Sequence, residues 1–268
     1  MMKKEIRIVL VVLLFCCSAH TPLAAQTDTI GLHGKKLFTR QLKTGVKQYL
    51  VYFQNSKQSR QLKFSLWVRD ISLKTQNGEQ LFAITQQWYG TDTTSFRSVY
   101  SLNRVGNFEA VYQSEAINGK LKAYNWYNDH ISGADSIPAN EQKGFNLQFD
   151  RSAFNWHLDI ETYEMMQLKE GKTIVIYFYD AGFGKPSYQS LKVTGSEIVT
   201  TLDNRKADCW KLFTSSDQGK VRFTETYWIS KKNHELLKEE DYFNGNYRYK
   251  IKLPGYSPEL LKRFAAQK

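Results

Sequence analysis

The chain has 268 residues, with 37 Lys and Arg against 26 Asp and Glu (a formal charge of +11), 41% hydrophobic and 14% aromatic residues, 16 Gly, 5 Pro and 3 Cys. Ordinary apolar content with little Gly and Pro excludes a disordered chain, and so few cysteines exclude a disulfide-stapled scaffold. The length suits one large domain or two small ones, and either can bury a sizeable core.

Residues 1–25 read as a secretory signal. Lys3, Lys4 and Arg7 form the basic start, Ile8 to Phe15 is an unbroken apolar run, and Ala24-Ala25 precede Gln26. The run is too short to span a bilayer, so cleavage after Ala25 is expected. The rival reading is lipidation at Cys16 or Cys17, which lack the small preceding residue that a lipoprotein signal wants. Cleavage leaves 34 basic and 25 acidic residues, a net +9, and Cys209 as the lone cysteine. That cysteine reads as a small buried hydrophobe.

Leu37, Phe38 and Leu42 hint at a short helix ended by Gly45. Period-two alternation follows. Leu62, Phe64, Leu66 and Val68 share one side of a strand, with Lys63, Ser65, Trp67 and Arg69 on the other. Phe96, Tyr100 and Leu102 alternate likewise, and Phe108, Ala110 and Tyr112 follow a turn at Val105-Gly106-Asn107. Asn118-Gly119 predicts a tight hairpin returning through Leu121 to Tyr127. Asn128–Gly144 is the most loop-like stretch. Phe154–Leu168 begins with strand-like alternation and then favours helix, which we expect over most of it, stopped by Gly171. Strands are expected over Val221–Ile229, Glu235–Phe243 and Asn246–Leu253, with turns at Ser230–His234 and Asn244-Gly245. In the last strand Tyr247, Tyr249, Ile251 and Leu253 oppose Arg248, Lys250 and Lys252, as in a sheet with one apolar and one wet face. Ser257-Pro258-Glu259 starts a short terminal helix carrying Leu260, Leu261 and Phe264.

Motifs for chemistry are few. The histidines form no metal-ligand spacing, and nucleophile-elbow, phosphate-loop and dinucleotide patterns are missing. Gly182-Phe183-Gly184-Lys185-Pro186 reads as a strand-end loop. Glu239-Glu240-Asp241 and the pair Asp159 and Glu161 could serve a hydrolase only if opposed across a cleft; neighbours on one strand alternate faces, so they read as a solvated edge. No catalytic residue, cofactor or metal is expected, and enzymatic activity is left open, leaning against. The aromatics are the stronger signal, with Trp126, Trp156, Tyr177, Tyr179, Tyr227 and Tyr249 as candidates for lining an apolar cavity or for ordinary sheet packing. Nine bases between Thr29 and Arg69 meet no acid, while the rest of the mature chain balances. Within that stretch Lys35, Lys36, Arg40, Lys43 and Lys47 are candidates for docking on an anionic surface.

Glu225-Thr226-Tyr227-Trp228-Ile229-Ser230-Lys231-Lys232, followed by Glu235-Leu236-Leu237-Lys238 and preceded by Val193-Thr194-Gly195-Ser196-Glu197, resembles uncharacterised periplasmic proteins related to the lipoprotein-carrier (LolA/LolB-like) half-barrels. Leu168-Lys169-Glu170-Gly171 fits the same group. The likeness covers residues 145–253 and, more weakly, 45–127. It implies a strongly curved antiparallel sheet with helices on its concave side, a cavity that in the carriers shields acyl chains. No ligand residue carries over.

The reading is therefore a mainly β (α+β) half-barrel, one domain over residues 26–268, periplasmic or otherwise in the cell envelope. It is expected to be a monomer that binds an apolar or amphiphilic ligand, such as a lipid or lipoprotein acyl chain, with an anionic membrane surface as a further partner and no nucleic acid. The alternatives are a structural or interaction module without a cavity, a secreted hydrolase with dispersed carboxylates, and an outer-membrane barrel; against the last, charges punctuate the wet faces and a polar helix ends the chain.

Overall fold

The structure is a computed structural model that describes residues 27–34, 37–90, 96–218, 221–257 and residue 262. The signal segment 1–25, Lys35, Lys36 and most of the expected terminal helix lie outside them.

Strands dominate. They are β1 (Thr27–Ile30), β2 (Gly45–Gln54), β3 (Leu62–Gln76), β4 (Glu79–Tyr89), β5 (Arg97–Arg104), β6 (Ala110–Ile117), β7 (Lys120–Trp126), β8 (His130–Gly133), β9 (Asn146–Gln148), β10 (Phe154–Asn155), β11 (Thr173–Tyr179), β12 (Ser187–Thr200), β13 (Lys206–Gln218), β14 (Val221–Ser230), β15 (Leu236–Phe243) and β16 (Asn246–Lys252). All belong to one sheet, ordered β1-β11-β12-β13-β14-β15-β16-β2-β3-β4-β5-β6-β7-β8-β9, with β10 on the same edge of β11 as β1. Neighbours pair antiparallel except β1 and β10, which run parallel to β11. Asn118-Gly119 and Asn244-Gly245 take the positive φ angles expected of them (52° and 76°, 45° and 83°), and a third pair, Asn77-Gly78 (52° and 78°), closes β3 onto β4 in the same way.

Helix is scarcer than the few helices expected. Among the described residues it amounts to the α-helix α1 (Asp159–Glu164), the 3-10 turn Trp156–Leu158 leading into it, a 3-10 turn at Thr39–Gln41 and the single helical residue Lys262. Asn155 caps the Trp156–Leu158 turn by accepting from the His157 backbone N–H at 3.0 Å. The stretch Phe154–Leu168 is thus strand only at Phe154–Asn155 and helical over Trp156–Glu164, although its strand-like alternation runs on to Ile160. The expected N-terminal helix is the single turn at Thr39–Gln41, held down where the Phe38 N–H donates to the Met165 carbonyl at 2.9 Å.

The helix lies against the inner face of the sheet. Leu158, Ile160, Tyr163, Met165 and Met166 share a core with Tyr49 and Val51, Trp67 and Ile71, Ile174, Ile176 and Phe178, Leu212, Tyr227 and Leu236. Full burial of each such side chain contributes about 1.5–3 kcal/mol. Alternation fixes the other face of β11: Tyr177 and Tyr179 join a second cluster with Trp126 and Tyr124 of β7 and with Phe149. The Tyr179 ring lies 5.8 Å from Trp126 and 5.5 Å from Phe149. One end of the sheet therefore folds over the back of the other, and the roll is closed by side chains, with no ladder joining the overlapped strands among the described residues.

One consequence corrects the sequence reading. The charged faces of the strands are turned inward. Lys47, Arg69, Gln86, Val99 and Glu115 sit in register on five successive strands, all buried. In β16 it is Arg248 and Lys250 that face the interior, while Tyr249 stacks on Tyr52 on the other face at 4.8 Å. Glu239 and Asp241, read as a solvated edge, are buried as well.

Candidate functional site

Buried charges need partners, and α1 supplies those of Arg69 and Lys47. Arg69 donates to Glu161 and lies 3.5 Å from Asp159; Lys47 donates to Glu164 at 2.5 Å, whose other oxygen accepts the Leu236 N–H at 2.9 Å. A second group sits on neighbouring strands. Glu239 accepts from Lys250 and, at 2.8 Å, from Arg248, which also donates to Asp241. The acids respond differently to this setting. Two cations hold the Glu239 carboxyl below its usual range despite burial. Burial, followed by the like charges of their neighbours, pushes Glu225 up to about 8 and Asp241 up to about 7. Burial also raises Asp159 and Glu164.

Above these groups the sheet opens. A hollow of about 250 Å³ is lined by Trp67, Arg69, Trp88, Arg97, Trp156, His157, Asp159, Asp180, Glu225, Arg248 and Lys250. Trp67 and Trp88 stack at 4.4 Å, with the Arg97 guanidinium 4.0 Å over Trp88 and the Lys250 ammonium 4.7 Å from Trp67. Both ends of the indole stack are thus held by cations. The His157 ring lies 3.0 Å from the Gln113 side chain at Nδ1 and 3.0 Å from Arg97 at Nε2, with Asp180 3.2 Å from the same nitrogen. The Trp88 indole N–H is buried without a partner among the described residues. A second hollow of about 320 Å³ is lined by Trp156, Gln189, Thr214, Ser216, Phe223, Glu225 and Phe243. A third, of about 190 Å³, adds Phe178, Phe183 and Lys185. All three meet at Trp156, which packs edge-on against Phe178 at 5.1 Å.

Of the six aromatics singled out in the sequence, Trp156 lines this cleft. Trp126 and Tyr179 close the overlap of the roll. Tyr177 packs on Tyr188 at 4.8 Å and donates to Asp150. Tyr227 is buried against Tyr163 at 4.9 Å, and Tyr249 belongs to the stack with Tyr52. Of the docking candidates, Arg40 and Lys43 are exposed, Lys47 is buried on Glu164, and Lys35 and Lys36 lie outside the described residues. The cleft residues that sequence reasoning passed over, Trp67, Trp88, Arg97 and Arg248, alternate with apolar neighbours that looked more core-like. Their signal was the run of inward-register positions shared by successive strands. No group of metal-ligating side chains occurs among the described residues.

A model of the family described as "Protein of unknown function (DUF3108)" matches residues 48–252. Among solved structures, a beta-barrel-like protein of the domain of unknown function DUF1849 from Brucella abortus matches with a TM-score of 0.48 and 9% identity, over 78% of this chain and 97% of its own. No curated protein matches.

Proposed function

We propose, for a chain that belongs to the DUF3108 family, that its role is to bind a small amphiphilic ligand with an anionic head in the cleft around Trp156. The observation that carries this is the division of the cleft. Phe223, Phe243 and Phe178 line two of the hollows that meet at Trp156, and Arg97, Arg248 and Lys250 line the third, beside Asp159 and Asp180. Each hollow alone is at or below the low end of small-molecule sites, about 300–1,000 Å³, and together they fall within it. Burial pushes Glu225 up to about 8, so near neutrality it would not repel an anion as a carboxylate would. The helix and the apolar core occupy the roll below the cleft. An acyl chain would therefore lie in the cleft, against Trp156 and the phenylalanines, and not thread the core.

The reading includes export, which rests on the pattern of residues 1–25, and a functional likeness to the half-barrel lipoprotein carriers, which rests on the strand motifs of the C-terminal half. The test is native mass spectrometry of the purified protein together with a tryptophan-fluorescence titration using short-chain fatty acids. Saturable binding that Trp156→Ala abolishes, with circular dichroism unchanged, is the expected result. Neither a co-purifying amphiphile nor a saturable signal would leave a structural module as the better reading.

A further inference from the structure

The far end of the roll carries a second feature. β14 runs from the cleft at Phe223 to Ser230, seven residues and about 23 Å away, and there a groove of about 720 Å³ opens on the outer surface. It is bordered by the β12–β13 turn, the β14–β15 turn and the end of β16. Val199, Leu237, Ile251 and Leu253 contribute apolar side chains to its lining. Four of its bases are matched: Arg205 by Asp203 at 2.6 Å, Lys231 by Asp208 at 2.9 Å, Lys252 by Glu235 at 2.7 Å and Lys238 by Glu240 at 3.7 Å. Lys206 and Lys232 are exposed and have no acidic partner among the described residues. Lys43, also exposed, is close enough to act electrostatically on both His234 and Glu235, so the basic N-terminal stretch adjoins the same end. At the tip of the β12–β13 turn, Leu202 is 56% exposed, and Ile198, on β12 just before the turn, is 57% exposed.

An excess of unmatched lysines around a protruding leucine is the pattern of a surface that meets anionic headgroups while an apolar tip enters the interface. We propose that this end of the roll docks on a bilayer containing anionic phospholipid, with Lys43, Lys206 and Lys232 facing the headgroups and Leu202 inserted between them. The docking surface expected from Lys35 to Lys47 thus shifts to the barrel end that the described part of that stretch adjoins. The apolar part of the cleft, at Phe223 and Phe243, lies at the other end of β14, so docking would leave that part open.

The experiment is co-sedimentation of the purified protein with phosphatidylcholine vesicles with and without phosphatidylglycerol, at low and high salt. Binding is expected only with phosphatidylglycerol, and weaker in high salt. The double variant Lys206→Glu/Lys232→Glu is expected to lose about tenfold or more of it. Leu202→Asp is expected to weaken it at both salt concentrations. No sedimentation with anionic vesicles at low salt, or unaltered sedimentation of the double-lysine variant, overturns the proposal. So does uptake of a free fatty acid at this groove without vesicle binding. Because the cleft titration uses a different residue and a different probe, failure of one reading leaves the other standing.

Discussion

Arg69 on β3 and Glu161 on α1, 92 residues apart, form an ion pair that is 2% and 1% exposed and ties the helix to the inner face of the sheet. Breaking it strands a charge in the core. Arg69→Met is expected to destabilise the protein by about 3–5 kcal/mol in urea denaturation. The double variant Arg69→Met/Glu161→Met should lose clearly less than the sum of the two single changes, because it leaves neither charge unpaired. Strict additivity would mean that the pair does not hold the helix.

The raised acids make stability depend on pH in an unusual direction. Glu225 holds its proton up to about 8 in the folded protein, against an ordinary 4.5. Between those values the unfolded chain has already released a proton that the folded chain still binds, so this group's contribution falls as pH rises. Asp241, at about 7, acts in the same sense, whereas Glu239, held low, contributes above its ordinary range and loses that contribution only in acid. Chemical denaturation from pH 5 to 9 should show wild-type stability declining across the window. Glu225→Gln should flatten the decline, and an equally steep decline in that variant would contradict the assignment.

Among the described residues, side chains close the overlap of the roll. Trp126→Ala removes the ring that touches both Tyr179 and Phe149, which is expected to cost about 3–5 kcal/mol. Hydrogen exchange is expected to rise first in β7 to β9, with β12 to β16 still protected. Uniform loss of protection would mean that the overlap and the rest of the sheet unfold as one unit. Gly182→Ala probes the same place by crowding: a Cβ there would sit 2.5 Å from the Tyr124 hydroxyl at a φ of 88°.

Cys209 is fully buried in β13, and burial pushes its thiol up to about 11. It should resist thiol reagents in the native protein and react as soon as the sheet opens. Peptide mapping of labelled Cys209 across a urea series is expected to track global unfolding, and labelling well before the transition would place the thiol at a flexible edge instead.

The strands and hairpins were legible because alternation and Asn-Gly pairs are local signals. The direction of the faces was not. In β3, Leu66 and Val68 look like core beside Trp67 and Arg69, yet both pairs are covered, the first by Tyr89 and neighbours on the outside, the second by α1 within. Burial of Lys47 and Arg69 depends on carboxylates 117 and 92 residues away, and no local pattern announces such a partner. Trp156 was legible as a cavity candidate only as one of six aromatics, read there as part of a strand-like alternation. Trp67 and Trp88, whose stack forms the wall, emerge only from the register of β3 on β4.

The rolled sheet also bears on how the protein avoids its own kind. A sheet of this many strands would normally present long backbone edges to neighbouring molecules, an invitation to fibril growth. Here the two extremities are β9, three residues long, and the pair β1 and β10, of four and two. Overlap tucks β11 beneath β7 and its companions, so that the longest strands all lie within the sheet and only fragments remain as templates.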